Sequence, residues 1–223
     1  VMIEHESLVN LAINQAELFC LHVGEKKCLA YANYIFDASV SEIFTTLIFG
    51  NTLYIVDELH RLDLNKLTRY IDDNNISLAT IPPILLDKDN VLPLDTIIVA
   101  GDKTAKDVMD AYLKHGINVI NAYGPTETTV CAALHNYAIN NSNTNIGKSI
   151  ANITIYILDN NLNPLPVGAI GELYIGGAGL ARGYLNQPEL TKSVFLTNQF
   201  QSESEKETNT NNRIYKTGDL VRM

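Results

Sequence analysis

The sequence predicts an α/β fold: a layered sheet with packed helices, followed by a smaller β-rich, barrel-like subdomain. From Lys27 to about Gly116, apolar β-rich runs alternate with amphipathic segments, the pattern of a sheet covered by helices. Beyond about Asn140 the texture changes to short strands and glycine turns. The 223 residues, 46% hydrophobic and 18% charged, are enough for one large domain or two small ones with real cores. The division expected is 1–140 for the α/β part and 141–223 for the β-rich part.

Each element has its local reason. Leu29 to Phe36 and Thr52 to Val56 read as strands, with a helix between them starting near Ser39 to Glu42, where a Ser-x-x-Glu capping box is available. Leu62 to Asn74 reads as a helix, because Leu62, Leu64, Leu67, Tyr70 and Ile71 recur near helical spacing. Ile76 to Ile81 is a strand stopped by Pro82-Pro83, and Thr96 to Ala100 a further buried strand. Lys103 to His115 is a helix ending at Gly116, and Ile117 to Ile120 a short buried strand. In the second part Ile153 to Leu158 is a strand, Asp159-Asn160-Asn161 a turn, and Gly171 to Ile175 the next strand. Gln199 to Arg213 is polar, with almost nothing to bury, and is expected to be a mobile loop.

Composition excludes several function classes. A net charge of −9 without a Lys/Arg cluster argues against nucleic acid as a partner. No apolar run reaches the roughly 18 residues of a membrane span, and the start lacks the basic region of a signal peptide, so a cytoplasmic location without a membrane partner is expected. Cys20, Cys28 and Cys131 are widely spaced with no CxxC pair, which indicates reduced core residues instead of a disulfide framework or zinc site.

The run Asn121-Ala122-Tyr123-Gly124-Pro125-Thr126-Glu127-Thr128-Thr129 concentrates polar chemistry just after an apolar strand, where ligands collect in open α/β sheets. Its ring, hydroxyls and carboxylate suit a nucleotide with a hard cation; a plain strand-to-loop turn fits the local sequence equally. Four further segments accompany it. They are Val1 to His5 with Leu8-Val9-Asn10; Phe36-Asp37-Ala38-Ser39-Val40; Gly171 to Gly177 with Gly179 to Tyr184 and Pro188 to Thr191; and Tyr215 to Leu220. Together, in this order, they resemble the adenylate-forming enzymes, specifically the amino-acid-activating adenylation domains of nonribosomal peptide synthetases.

The resemblance implies part of the large N-terminal domain of such an enzyme and the use of ATP and Mg²⁺ to convert an amino acid to aminoacyl-AMP. Transfer to the phosphopantetheine thiol of a peptidyl carrier protein would follow, with a condensation domain as neighbour. It also implies the roles. Tyr123 stacks on adenine, Asn121 bonds its exocyclic amine, and Gly101, Ala122 and Gly124 complete the nucleotide loop. Thr126 meets the α-phosphate, Glu127 holds the Mg²⁺ and Asp219 accepts the ribose hydroxyls; Thr126 and Glu127 are the catalytic pair. Gly176-Gly177-Ala178-Gly179 is assigned no ligand contact.

Asp37 is expected to pair with the substrate α-ammonium, since a carboxylate beside an apolar strand end otherwise lacks a cation; an N-cap or first-turn acid of the following helix is the competing reading. By the same resemblance the pocket wall is Asp37, Ala38, Ser41, Thr80, Ile98, Ala100, Ala122, Val130 and Cys131. Apart from Asp37 it carries no charge, and its alanines and serine leave room, so a large neutral side chain is expected: tyrosine, then phenylalanine, then tryptophan. Ser41 both makes space and offers a hydroxyl. The phosphate loop and the C-terminal domain with its catalytic lysine are expected to lie outside these residues, so that the chain alone has little activity. Two other classes stay open, an acyl-CoA synthetase-type ligase and a non-catalytic truncated module.

Overall fold

Apolar runs bounded by caps and turns become, in chain order, α1 (His5–Leu18), β1 (Lys27–Ala30), α2 (Ala38–Ile48), β2 (Thr52–Ile55), α3 (Glu58–Arg61), α4 (Leu64–Asn74), β3 (Leu78–Ile81), β4 (Thr96–Ala100), α5 (Lys106–Lys114) and β5 (Asn118–Tyr123). They continue as β6 (Ala133–Asn136), β7 (Lys148–Ser149), β8 (Ile153–Leu158), β9 (Ile170–Gly177), α6 (Pro188–Val194), β10 (Phe195–Thr197), α7 (Glu203–Glu207) and β11 (Arg213–Arg222). This is a computed structural model, and it describes residues 1–223. Two compact units form, neither contiguous in sequence. One comprises Ala12–Tyr123 and Ala133–Lys148, the other Val1–Leu11, Gly124–Ala132 and Ser149–Met223. The position near 140 at which the sequence texture changes lies inside the second segment of the larger unit. No helix is long and apolar enough to cross a membrane.

The larger unit is built on a seven-stranded sheet of order β2-β1-β3-β4-β5-β6-β7. Strands β2 to β5 pair in parallel and β6 runs antiparallel to β5. Alternate residues serve opposite faces, which is why the central strands read as continuous apolar runs. Ala79, Ile81, Ile97, Val99 and Val119 pack with Leu67 and Ile71 of α4 and Met109 and Tyr112 of α5. Cys28, Leu78, Ile98 and Ile120 pack on the other face with Ala16 of α1, Phe19, and the partly buried Ala122.

Several boundaries shift, among them α5 and β3, which start later than expected, and β5, which runs on through Tyr123; three changes have a clear local cause. Strand β1 stops at Ala30 instead of reaching Phe36. The Ala32 N–H is taken by the Glu42 carboxylate, at 3.0 Å to Oε2, and Asn33 closes a turn by accepting the Ile35 N–H at 3.1 Å. For the same reason the capping box at Ser39 and Glu42 does not form. Glu42 turns inward, Ser39 lies within the helix and its Oγ donates to the Phe36 carbonyl at 2.7 Å. The helix expected over Leu62 to Asn74 begins at Leu64, because the Asp63 carboxylate accepts from the Asn65 and Lys66 N–H groups, and residues before it form α3. Helix α1 is an addition that the sequence pattern does not announce.

The smaller unit carries a four-stranded antiparallel sheet of order β10-β11-β9-β8. Within the polar stretch from Gln199 to Arg213, Ser202 and Glu205 form a capping box that starts α7. Phe200 stacks on Tyr156 at 4.8 Å, and side-chain amides add cohesion: Asn198 Nδ2 donates to the Asn211 carbonyl at 2.8 Å, and Asn211 Nδ2 to Glu205 at 2.9 Å.

Candidate functional site

In the larger unit the predicted wall residues of the strands share one face. Thr80 is paired with Ile98, and Ala100 with Ala122, at the C-terminal ends of β3, β4 and β5. Ile98 and Ala122 belong to the same apolar cluster as Ala16, so the small side chains of Ala100 and Ala122 lie on the face that α1 packs against. Gly101 follows directly, at φ +86° with open space around its Cα, a backbone state that costs other residues about 1–2 kcal/mol. Asn121 Nδ2 donates to the Asn145 carbonyl at 2.8 Å. That bond orients the side-chain carbonyl oxygen, an acceptor suited to an amine. Tyr123 ends β5 opposite Ala133.

Helix α2 of the same unit supplies Asp37, Ala38 and Ser41. Asp37 occupies the N-cap position, yet its backbone is helical (φ −63°, ψ −23°) and its side chain makes no cap hydrogen bond. Asp37 therefore does not act as a hydrogen-bonding N-cap. Ser41 is buried and its Oγ donates to Gln15 Oε1 at 2.6 Å; Thr45 Oγ1 donates to the same oxygen at 2.9 Å. The hydroxyl's proton is thus committed to Gln15, and Ser41 offers lone pairs, not a donor. Glu42, 7% exposed, faces no cation; burial pushes its carboxyl up to about 8 against two backbone N–H bonds, from Ala32 and Tyr31.

In the smaller unit, Gly124 opens the segment that carries Thr126 and Glu127. A Cβ at Gly124 would lie 2.7 Å from Ala132 N and from Cys131 Cα, so only glycine permits this close backbone approach. Pro125 precedes a single 3₁₀ turn, Thr126–Thr128. Thr129 and Val130 then both adopt left-handed backbone, φ +60° and +65°, which is strained for β-branched residues. The Thr129 Oγ1 bond to the Gly179 carbonyl, 2.7 Å, and the Cys131 N–H to Thr129 O, 2.7 Å, hold that turn, with Cys131 buried behind it. Glu127 accepts at Oε1 from the Tyr184 hydroxyl, 2.5 Å, and its backbone carbonyl accepts from the Ala181 N–H, 2.8 Å.

Asp219 of this unit sits where the β9–β11 ladder breaks. Register shifts between Lys216 and Leu220; Thr217 Oγ1 donates to Leu173 O at 2.8 Å and accepts the Asp219 N–H at 3.0 Å. The bulge takes Thr217, Gly218 and Asp219 out of strand pairing and leaves Asp219 exposed. No group of three or more His, Cys, Asp or Glu side chains could by itself hold a metal ion. A lone carboxylate such as Glu127 still fits magnesium, which is commonly bound by one or two carboxylates together with substrate phosphates.

Gln15 and Tyr184 are functional candidates whose roles sequence patterns do not reveal, because each acts through a bond to a distant residue, and Glu42 is one that the Ser-x-x-Glu pattern misplaces. Glu42 leaves a trace, as the one charged residue of helix α2.

The family model described as "AMP-binding enzyme" matches residues 1–185. A linear gramicidin synthase of Brevibacillus parabrevis is 41% identical over the whole chain, and bacitracin synthase 1 of Bacillus licheniformis 38%. The chain spans 3% and 4% of the length of these two relatives. Among solved structures, holo-AB3403, a four-domain nonribosomal peptide synthetase bound to AMP and glycine, superposes with a TM-score of 0.86 at 28% identity, over 99% of this chain and 16% of that one.

Proposed function

This chain belongs to the AMP-binding enzyme family, in its nonribosomal peptide synthetase adenylation branch, and we propose that it carries the nucleotide and amino-acid contacts of an amino-acid-adenylating ligase. A carboxylate oxygen of the amino acid attacks the α-phosphorus of ATP, the bond to the β-phosphate oxygen breaks, and aminoacyl-AMP and pyrophosphate result. A carrier-protein phosphopantetheine thiol then attacks the acyl carbon and AMP leaves. Such chemistry rests on aligning two anions and offsetting the charge that develops between them.

The residues divide this work. Asp37 pairs with the α-ammonium, and Ala38, Ser41, Thr80, Ile98, Ala100, Ala122, Val130 and Cys131 shape the side-chain pocket. Tyr123 lies against the base, Asn121 accepts from its amine, and Gly101, Ala122 and Gly124 allow close approach. Thr126 donates to a phosphate oxygen and Asp219 accepts the ribose hydroxyls. Glu127 would hold Mg²⁺, which when bound offsets phosphate charge.

The observation that carries the amino-acid reading is Asp37, an acid at the start of α2 that does not cap its own helix. The uncharged wall with its alanines supports a large neutral side chain, tyrosine ahead of phenylalanine and tryptophan. Ser41 strengthens that order, because a serine that only accepts favours a phenol O–H over a bare ring. The test is amino-acid-dependent pyrophosphate exchange by the full-length protein with tyrosine, phenylalanine, tryptophan, leucine and arginine, before and after Asp37→Ala. Tyrosine is expected to lead and Asp37→Ala to cost about a hundredfold or more in kcat/KM, the cost of about 3 kcal/mol for unpairing a shielded charge. Preference for arginine would overturn the pocket argument. Undiminished amino-acid turnover by the variant would refute the ammonium role.

A further inference from the structure

The glycine-rich stretch after β9, for which the sequence suggests no ligand contact, grips the turn that carries Glu127 at three points. Gly179 O accepts from Thr129 Oγ1, Ala181 N–H donates to Glu127 O, and Tyr184 Oη donates to Glu127 Oε1 at 2.5 Å. A Cβ at Gly179 would lie 2.9 Å from Thr128 O, so the approach itself depends on glycine.

Tyr184 is in turn fixed from behind. Its N–H donates to Thr191 Oγ1 at 2.9 Å, and its ring meets Phe195 edge-on at 5.9 Å. Phe195 packs on Tyr215 at 5.1 Å and lies under the Arg213 guanidinium at 5.4 Å. Arg213 donates to the carbonyls of Ala181, 2.9 Å, and Arg182, 3.0 Å, which holds the strip from the other side.

We propose that Tyr184 is a positioning residue that sets the Glu127 carboxylate for a divalent cation shared with the nucleotide, and that the Gly179–Tyr184 strip is the brace that transmits this order. The inference rests on Glu127 being the magnesium ligand of the proposed function. A carboxylate with one oxygen held by a rigid phenol has lost its rotational freedom before the cation arrives, and outer partners of this kind typically contribute tenfold or more to metal affinity.

The test measures binding of a non-hydrolysable ATP analogue to the full-length protein by calorimetry, with magnesium and with EDTA, for the wild type, Tyr184→Phe and Glu127→Gln. Tyr184→Phe keeps the ring packing and removes only the hydroxyl. It is expected to weaken binding about tenfold with magnesium and to leave binding in EDTA unchanged, following Glu127→Gln in kind. If Glu127→Gln abolishes the magnesium effect while Tyr184→Phe does not touch it, the positioning role is overturned and Glu127 stands as the ligand. If neither variant changes it, Glu127 is not the ligand and the inference fails with it. An equal loss in EDTA would reduce Tyr184 to a structural part and also overturn the proposal.

Discussion

Glutamine in place of Glu42 should abolish a pH dependence that the wild-type fold carries. The folded carboxyl binds its proton up to about pH 8, against an ordinary value of 4.5, because it is buried without a cation. Between those two values the folded state holds a proton that the unfolded state has released. Stability is therefore fullest below pH 4.5, falls as pH rises towards 8, and levels off above it. At about 1.4 kcal/mol per pH unit the whole interval amounts to at most about 5 kcal/mol, and the stretch from pH 6 to pH 8 to somewhat under about 3 kcal/mol. Glutamine reproduces the protonated acid, with a carbonyl for the Ala32 N–H and an amide that cannot ionise. Urea denaturation of the wild type and Glu42→Gln at pH 5, 6, 7 and 8 should show the stability difference between them widening in favour of the variant as pH rises. A difference that stays constant across that range would refute the claim that Glu42 is protonated in the fold.

Two further sets of substitutions probe the packing that supports the site. Gln15→Leu removes the oxygen that accepts from both Ser41 and Thr45, and leaving two buried hydroxyls without it should cost about 2–4 kcal/mol, read from thermal or urea unfolding. Gly101→Ala and Gly124→Ala should separate two demands on glycine. The first meets no atom within 4 Å and should cost only the backbone strain of about 1–2 kcal/mol, whereas the second meets backbone at 2.7 Å and should cost more, with loss of nucleotide binding in a titration of the full-length protein.

Strands are the most legible elements. Thr96–Ala100 and Ile153–Leu158 coincide to the residue with their sequence runs, because each is a β-rich run ended by a turn. Helix α1 is illegible because its apolar residues point both ways: Leu11, Ala12 and Ala16 are buried while Val9 and Ile13 are exposed, which blurs the helical period. The capping box at Ser39 misleads because a local pattern competes with a long-range demand. The N–H at Ala32 needs an acceptor, and Glu42 answers it. For the site, Thr80, Ile98, Ala100 and Ala122 come into view through the family resemblance, and strand pairing explains why they share a face. Nothing in spacing announces Tyr184 beside Glu127 or Gln15 beside Ser41, since those pairs lie 57 and 26 residues apart.

The left-handed backbone at Val130 bears on how such an enzyme could be retargeted. Exchanging Ala100 or Ala122, which stand on paired strands, alters volume against a fixed backbone. Any exchange at Val130 also changes how willingly the chain adopts φ +65°. Glycine or asparagine would relax it and loosen the turn, while another branched residue would keep the tension that Thr129 and Gly179 hold in place. Libraries that treat every proposed wall position as an independent side-chain choice would therefore misjudge Val130, where shape and rigidity are inherited together.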